Sequence, residues 1–212
     1  MAALAAMGGA LQEQLSALIS ATLPSEQLEP LQECQRELQL AADPESSAAA
    51  YFNLAVEADA LPSGAGLELA VQAYLASVAL APDDADTHYN LALCYDALGP
   101  ERAEEAVASY RRAVALEPSQ ADAWTNLGLQ LKQAGNIDGA VAAHKAAFDL
   151  EPALMDGYAV RLLGLETAGA FGAEAVAAGP GGVGGWEAAL QGAAALLRTA
   201  GYGDRTRMVA SL

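Results

Sequence analysis

The 212-residue chain has few of the residues that several classes of protein require. Its two cysteines, Cys34 and Cys94, are too few for a disulfide framework, and with two histidines they make no metal-ligand spacing. Aromatic residues make up only 6%, and no alternation of β-branched residues persists, which argues against a β-sandwich. No apolar stretch approaches the roughly 20 residues that a membrane span needs. An alanine-rich, 53% hydrophobic chain of this kind suits closely packed helices.

Basic residues are also scarce. The chain has 10 Lys and Arg against 27 Asp and Glu, a net charge of −17. Residues 1–84 contribute −11 (twelve acids, one base) and residues 85–212 contribute −6 (fifteen acids, nine bases). Such a field repels nucleic acid and anionic membranes and attracts basic partners. The alternative, that the acidity only keeps an alanine-rich protein soluble, stays open at this point.

The first basic residue is Arg36, so the N-terminus resembles neither a secretory signal nor an Arg-rich transit peptide. The predicted location is the cytoplasm, with the nucleus as the alternative.

One pattern is present three times between residues 48 and 154. Its first half reads YFNLAVEA, HYNLALCY and WTNLGLQL, opening at Tyr51, His88 and Trp124, which are 37 and 36 residues apart. Its second half carries a small residue, a ring, a second small residue and a proline: Ala70, Tyr74, Ser77 and Pro82; Ala106, Tyr110, Ala113 and Pro118; Ala140, His144, Ala147 and Pro152. Each half has apolar residues at helical spacing, and the period predicts a helical repeat.

These motifs resemble the tetratricopeptide repeat (TPR), whose helix pairs carry W-x2-L-G-x2-Y, A-x3-F and P. The resemblance implies an all-α fold, a right-handed α-solenoid of helix-turn-helix repeats with three clear units and one or two degenerate ones. One helix pair cannot bury its apolar face alone, so the units must stack. Small residues, Ala55, Ala92 and Gly128, are predicted where two helix axes come close. The longer first two periods predict insertions in exposed turns between paired helices.

The repeats divide the chain into segments. Residues 1–46 are predicted to be two helices, an N-terminal cap or a degenerate repeat, broken near Pro24 with Ser25 as a possible cap. The other predicted segments are repeats at 48–84, 85–120 and 121–154, a degenerate repeat at 155–178, a glycine-rich loop at 179–185, and C-terminal helices or a truncated repeat at 186–212.

The first helices of the repeats carry the candidate site, because in TPR proteins these helices line a concave groove. In each of the three repeats an Asn stands two positions after the opening ring. In the second, third and fourth units an Asp stands two positions before the opening ring. The predicted groove residues are Asn53, Asn90, Asn126, Asp86, Asp122, Asp156, Tyr89, Asp59, Asp96 and Lys132, with Phe52, Val56, Leu93, Thr125 and Leu129 between them. An Asn amide both donates and accepts, so it can hold an extended peptide backbone of almost any sequence.

The Asn column resembles the ladder in the TPR region of the nucleocytoplasmic O-linked N-acetylglucosamine transferase family, and Val160 interrupts it in the fourth unit. Co-chaperone TPR domains instead clamp C-terminal carboxylates with Lys and Arg, which the matching positions lack. The leading hypothesis is therefore an adaptor that binds an extended, basic segment of a partner protein. Two alternatives are a recognition region of a larger enzyme, such as that transferase, and a structural subunit in which Trp186, the glycine-rich loop and the N-terminal helices dock onto a fixed assembly or a second copy. An Asn role in packing alone is the simpler explanation.

Catalytic signatures are missing from the sequence. The GPGGVGG segment follows no predicted strand and lacks the Lys-Ser/Thr pair that would meet a phosphate. His88 and His144 occupy ring positions of the repeat, where packing is the expected role. Carboxylate pairs such as Glu104 and Glu105 lie at helix starts, where they complement the helix dipole. The chain is predicted to be no enzyme and to bind no cofactor and no metal.

Overall fold

The computed structural model describes residues 2–20, 24–64 and 66–151, and in this part of the chain all regular structure is helical. It separates into unit 1, residues 1–116, and unit 2, residues 117–212. Unit 1 holds α1 (Ala2–Ser20), α2 (Ser25–Leu40), α3 (Pro44–Asp59), α4 (Leu67–Leu80), α5 (Ala85–Leu98) and α6 (Ala103–Leu116), and unit 2 holds α7 (Ala121–Gln133) and α8 (Ile137–Leu150). The predicted site residue Asp156 and the segments 155–178, 179–185 and 186–212 lie outside the described residues.

Side-chain caps begin three of these helices. The Asp43 carboxylate accepts a hydrogen bond from the Ser46 amide at 2.8 Å in a capping box that begins α3. Asp84 caps α5 through the amide of Thr87, and Asn136 caps α8 through the amide of Gly139. Each cap satisfies an amide that the first helical turn leaves without a partner. α3 therefore begins at Pro44, ahead of the boundary at residue 48 predicted for the first repeat.

Glycine ends the first helix of the third repeat. Gly135 has a φ of 77°, its amide bonds to the Lys132 carbonyl, and the Asn136 amide bonds to the Leu131 carbonyl. This Schellman arrangement satisfies two terminal carbonyls of α7 and reverses the chain within residues 134–136. The corresponding connections in the first two repeats are longer, 60–66 and 99–102, and each contains a short 3-10 turn. The extra residues of the longer repeats thus lie between paired helices, as the sequence predicts.

The helices pack as antiparallel pairs in the order of the repeats. α3 packs against α4 and α5 against α6 in unit 1, and α7 packs against α8 in unit 2. The predicted close-approach residues Ala55 and Ala92 are fully buried. At Gly128 the approach is closer still, because a Cβ added there would lie 2.6 Å from Cε1 of His144.

The N-terminal helices of unit 1 pack differently from the repeats. α2 packs on α3 and α1 packs on both α2 and α4, whereas between the two repeats of this unit the main contact joins α4 to α5. Leu11 and Leu15 of α1 and Leu31 of α2 are fully buried at these contacts. The predicted cap at Ser25 is wrong: Ser25 is the first residue of α2, Pro24 occupies the cap position, and no side chain caps the helix. A proline in place of a hydroxyl or amide leaves no side-chain acceptor there.

Candidate peptide-binding surface

One side of each first helix stays accessible in the folded units. Residues that are three, four, seven or ten positions apart share one face of a helix. On the accessible face of each first helix the side chains are exposed or half-buried, whereas those on the opposite face are buried. We call these residues the first-helix stripes. They are Phe52, Asn53, Val56 and Asp59 on α3, Asp86, Tyr89, Asn90, Leu93 and Asp96 on α5, and Asp122, Asn126, Leu129 and Lys132 on α7.

The three asparagines have different surroundings. The Asn53 amide nitrogen donates to Oε2 of Glu37 on α2 at 3.0 Å, across 16 residues of sequence. The Asn90 amide nitrogen instead donates to the backbone carbonyl of Asp86 in its own helix at 3.0 Å. Asn126 is half-buried on α7. Asn90 and Asp86 are thus brought together, although through the Asp86 backbone, so the Asp86 carboxylate stays on the exposed side of α5.

The carboxylates of the stripes point to water, and two of them lie beside buried groups. Asp59, Asp86, Asp96 and Asp122 are all exposed. Burial, and next the nearby Asp59 carboxylate, raise the pKa of the Cys94 thiol to about 12. Burial and next the Asp96 carboxylate likewise raise the pKa of the Tyr110 phenol. Both the thiol and the phenol therefore keep their protons at neutral pH.

Aromatic residues of the stripes pack partly inside the repeats. The Phe52 ring meets Tyr74 edge-on at a centroid distance of 5.6 Å, and Tyr89 meets Tyr110 at 6.0 Å. Phe52 and Tyr89 hold the same position of the repeat, so each joins a first helix to its second helix and leaves one edge accessible. Thr125 holds this position in the third repeat, and the prediction that it lines the surface is wrong. It is 4% exposed, and its hydroxyl donates to the Ala121 carbonyl.

Lys132 is the one cation among the predicted groove residues, and it is not a simple surface charge. It is half-buried, and desolvation lowers the pKa of its ammonium group. Burial, and secondly the Lys132 charge, lower the pKa of His144 to about 4. Lys132 thus acts electrostatically on the interior of the α7–α8 pair as well as on the surface.

The two histidines lie in packing positions. His88 is 8% exposed, and its Nε2 lies 3.0 Å from the Pro82 carbonyl oxygen. Trp124, at the same position of the next repeat, donates through its indole nitrogen to the Pro118 carbonyl at 2.9 Å. His144 is 1% exposed within the α7–α8 pair. In the described residues no group of three or more His, Cys, Asp or Glu is placed to hold a metal ion.

The Lys and Arg residues in the repeats of unit 1 are confined to α6 and the turn before it. The first helices α3 and α5 contain no Lys or Arg, and they carry the carboxylates Glu45, Glu57, Asp59, Asp86 and Asp96. The cations lie elsewhere in the repeats. Arg102 is 3.3 Å from Glu105, and Arg112 is 2.6 Å from Asp83. The charged side chains of α3 and α5 are therefore all acidic, and the Arg102 guanidinium lies 5.9 Å from the centroid of the Tyr95 ring of α5.

Sequence reasoning missed Glu37 as a residue of this surface. Its contact with Asn53 depends on how α2 packs on α3, and no repeat motif extends into α2. The only sequence signal that pointed toward Glu37 was the excess of carboxylates in residues 1–84. None of the described helices combines the length and apolarity that a bilayer crossing needs.

Comparison with known proteins agrees with the helix-pair architecture. The family described as "TPR repeat" matches residues 101–133. A crystal structure of MamA, a TPR protein, is similar with a TM-score of 0.50 and 25% sequence identity, covering 57% of this chain and 67% of that one. A second MamA structure has a TM-score of 0.48 and 24% identity over 60% of this chain and 65% of that one. This chain thus spans about two thirds of their length. No curated protein sequence matches it.

These findings confirm the predicted fold class and support a role in protein interaction. The TPR match and the helix pairs of a TPR protein are typical of non-catalytic interaction modules, and they indicate no enzymatic family. The fold class is the α-solenoid of TPR helix pairs.

Proposed function

We propose that this chain is a non-catalytic adaptor, cytoplasmic or nuclear, that binds an extended basic segment of a partner protein on its first-helix stripes. The asparagine amides would hold the peptide backbone, and the aspartates would attract Lys and Arg side chains. The side chains of Phe52, Tyr89 and Leu93 are half-buried, and their accessible parts would contact the aliphatic portions of the partner's Lys and Arg side chains.

The observation that carries this proposal is the charge of the first helices in unit 1. α3 and α5 expose carboxylates and contain no Lys or Arg, while the bases of these two repeats stand on α6 and in the turn before it. A general need for solubility would place bases among the carboxylates of α3 and α5 as well. The segregation therefore favours a cationic ligand, with binding that weakens as salt screens the charges.

The proposal is tested with an extended, Lys/Arg-rich fluorescent peptide and the full chain, with binding followed by anisotropy. Asp86→Lys reverses one charge of the α5 stripe, and it is expected to weaken binding at least about tenfold at low salt. The matched control is Glu101→Lys, which makes the same charge change in the exposed turn before α6. Equal losses in the two variants would mean that only net charge matters and would contradict a site on the stripes.

The asparagines are tested separately from the charges. Asn90→Ala combined with Asn126→Ala is expected to weaken peptide binding about thirtyfold, since each lost amide bond is worth about 1 kcal/mol and two are lost. Circular dichroism should show unchanged helix content, because both side chains lie on the accessible side of their helices. Undiminished binding would leave the asparagines a packing role and remove them from the site.

A second candidate function is the recognition region of a larger enzyme, such as a protein O-linked N-acetylglucosamine transferase. The repeated register of Asn53, Asn90 and Asn126 favours it, because each stands two residues after an opening ring. The intact mass of the native protein, captured from its source, separates the two proposals. A mass near 21.6 kDa supports the adaptor, and a much larger mass supports the recognition region.

A further inference from the structure

We propose that Glu37 of α2 occupies the Asn53 amide of the α3 stripe in the free protein and that a basic ligand displaces α2 from this contact. The inference rests on the proposed function and adds a form of regulation to it. The contact that suggests it is the 3.0 Å hydrogen bond from the Asn53 amide to Glu37. Asn90, the equivalent residue of the next repeat, donates only within its own helix in the contacts described above. One amide of the α3 stripe is therefore held by the chain itself, while Val56 and Asp59 of the same stripe stay exposed.

Few apolar residues hold α2 in place. Of its described side chains, Leu31 and Cys34 are buried, and Leu40 at its C-terminal end is 80% exposed. Pro30 lies inside the helix, where it can donate no backbone hydrogen bond. The N-terminus has no side-chain cap and the last turn has no basic residue. A helix held this weakly can open without unfolding the repeats.

The charges around α2 also oppose its docking. Burial and then the carboxylates of Glu37, Glu57 and Glu33 raise the pKa of the Cys34 thiol to about 11. Arg36, the only base on α2, is paired with Glu33 at 2.6 Å. Glu37 of α2 and Glu57 of α3 thus act with the same sign of charge on one buried thiol between the two helices.

A bound cationic peptide would replace the like-charge repulsion near Asn53 with attraction. It would supply a backbone carbonyl to the Asn53 amide in place of Glu37, and it would place positive charge beside the carboxylates of α3. The measured affinity of the free protein is reduced by the fraction of molecules in which α2 is docked. Removing the Glu37 contact should therefore raise the affinity.

The test compares Glu37→Ala with Glu33→Ala, using the same basic peptide and the full chain. Both variants lose one carboxylate of α2, but Glu33 pairs with Arg36 rather than with Asn53. Glu37→Ala is expected to bind the peptide at least about threefold more tightly than Glu33→Ala. Weaker binding by Glu37→Ala would show that Glu37 belongs to the site, and equal binding would show that α2 does not compete; either result overturns the proposal.

Hydrogen exchange provides a second, independent readout. Adding the peptide to the wild-type protein should speed amide exchange in residues 25–40 and slow it in α3 and α5. Slower exchange in α2 as well would mean that the helix stays docked and would overturn displacement. Absence of peptide binding by every variant would instead overturn the proposed function itself. In that case the Asn53 side-chain amide signal would still show whether the contact with Glu37 forms.

Discussion

The second and third repeats fill equivalent buried positions between their paired helices with different side chains. In α5–α6 the buried ring of the second helix is Tyr110, which lies against Tyr89, and Ala92 holds the close-approach position. In α7–α8 the ring is His144 and the close-approach residue is Gly128, with Thr125 at the position of Tyr89. Both rings are 0–1% exposed. The repeat therefore demands a buried ring at this place but not a particular chemistry.

The choice of ring decides how each repeat responds to its surroundings. A buried phenol with a raised pKa stays neutral at every pH at which proteins work, whereas a buried imidazole can gain a proton. The phenol leaves room for a methyl group on the facing helix, and the imidazole is approached so closely that only glycine fits. Three changes test this comparison, and they follow in order of expected size.

The largest expected effect is a loss of stability in α7–α8 as the pH falls. The folded-state pKa of His144 is about 4, below its ordinary value of 6.5, so protonation favours the unfolded state. The stabilisation is complete above about pH 6.5 and is lost as the pH falls toward 4, by about 3 kcal/mol in total. Native-state hydrogen exchange at pH 7 and pH 4.5 measures the free energy of opening of α8, with α6 as the internal reference.

His144→Phe is the control for this pH effect, because it keeps a buried ring that does not titrate. In this variant, α8 should lose no more stability than α6 over the same pH range. An equal loss in wild type and variant would assign the effect to carboxylates and contradict the role of His144.

The intermediate effect concerns the close-approach residue. Gly128→Ala places a methyl carbon 2.6–2.8 Å from three atoms of the His144 ring. Overpacking of this kind costs about 1–3 kcal/mol and the better helix propensity of alanine offsets about 1, which leaves a net loss of up to about 2 kcal/mol. Urea denaturation followed by Trp124 fluorescence measures it. In a His144→Ala background the same substitution should become stabilising, and a persistent loss would place the clash elsewhere.

The smallest effect is expected at Tyr110. Its hydroxyl is buried without a hydrogen-bond partner in the described part of the chain. Tyr110→Phe removes an unsatisfied polar group at nearly constant shape, so it should leave the free energy of unfolding unchanged or raise it by up to about 1 kcal/mol. Urea denaturation at pH 7 measures the change. A loss above about 1 kcal/mol would reveal that the hydroxyl has a bridging water as partner.

The repeat register was predictable because helix packing repeats with the sequence. The spacing placed Ala55, Ala92 and Gly128 at the helix contacts, and the structure buries all three. Local capping was harder to predict, because Asp43 and Pro44 start α3 outside the repeat motif and Ser25 lies one position inside its helix.

The finer features of the site depend on tertiary contacts. Thr125 shares its position with Phe52 and Tyr89, but its small side chain bonds to its own backbone and is buried. The Asn53–Glu37 contact joins two helices of different kinds, and α1 reaches α4 instead of following the repeat order. Such contacts arise from how elements pack, so a periodic pattern carries no information about them. The peptide specificity of the stripes stays a prediction.

The hydrogen bonds made by the opening rings limit where residues can be inserted into this chain. His88 reaches the Pro82 carbonyl and Trp124 reaches the Pro118 carbonyl, each across six residues. An extra residue within 82–88 or 118–124 would pull the ring away from its acceptor, whereas the turns at 60–66, 99–102 and 134–136 already differ in length. The linkers between repeats therefore act as fixed-length spacers. The turns within repeats are the places where a loop, a tag or an inserted domain can be added with the least disturbance.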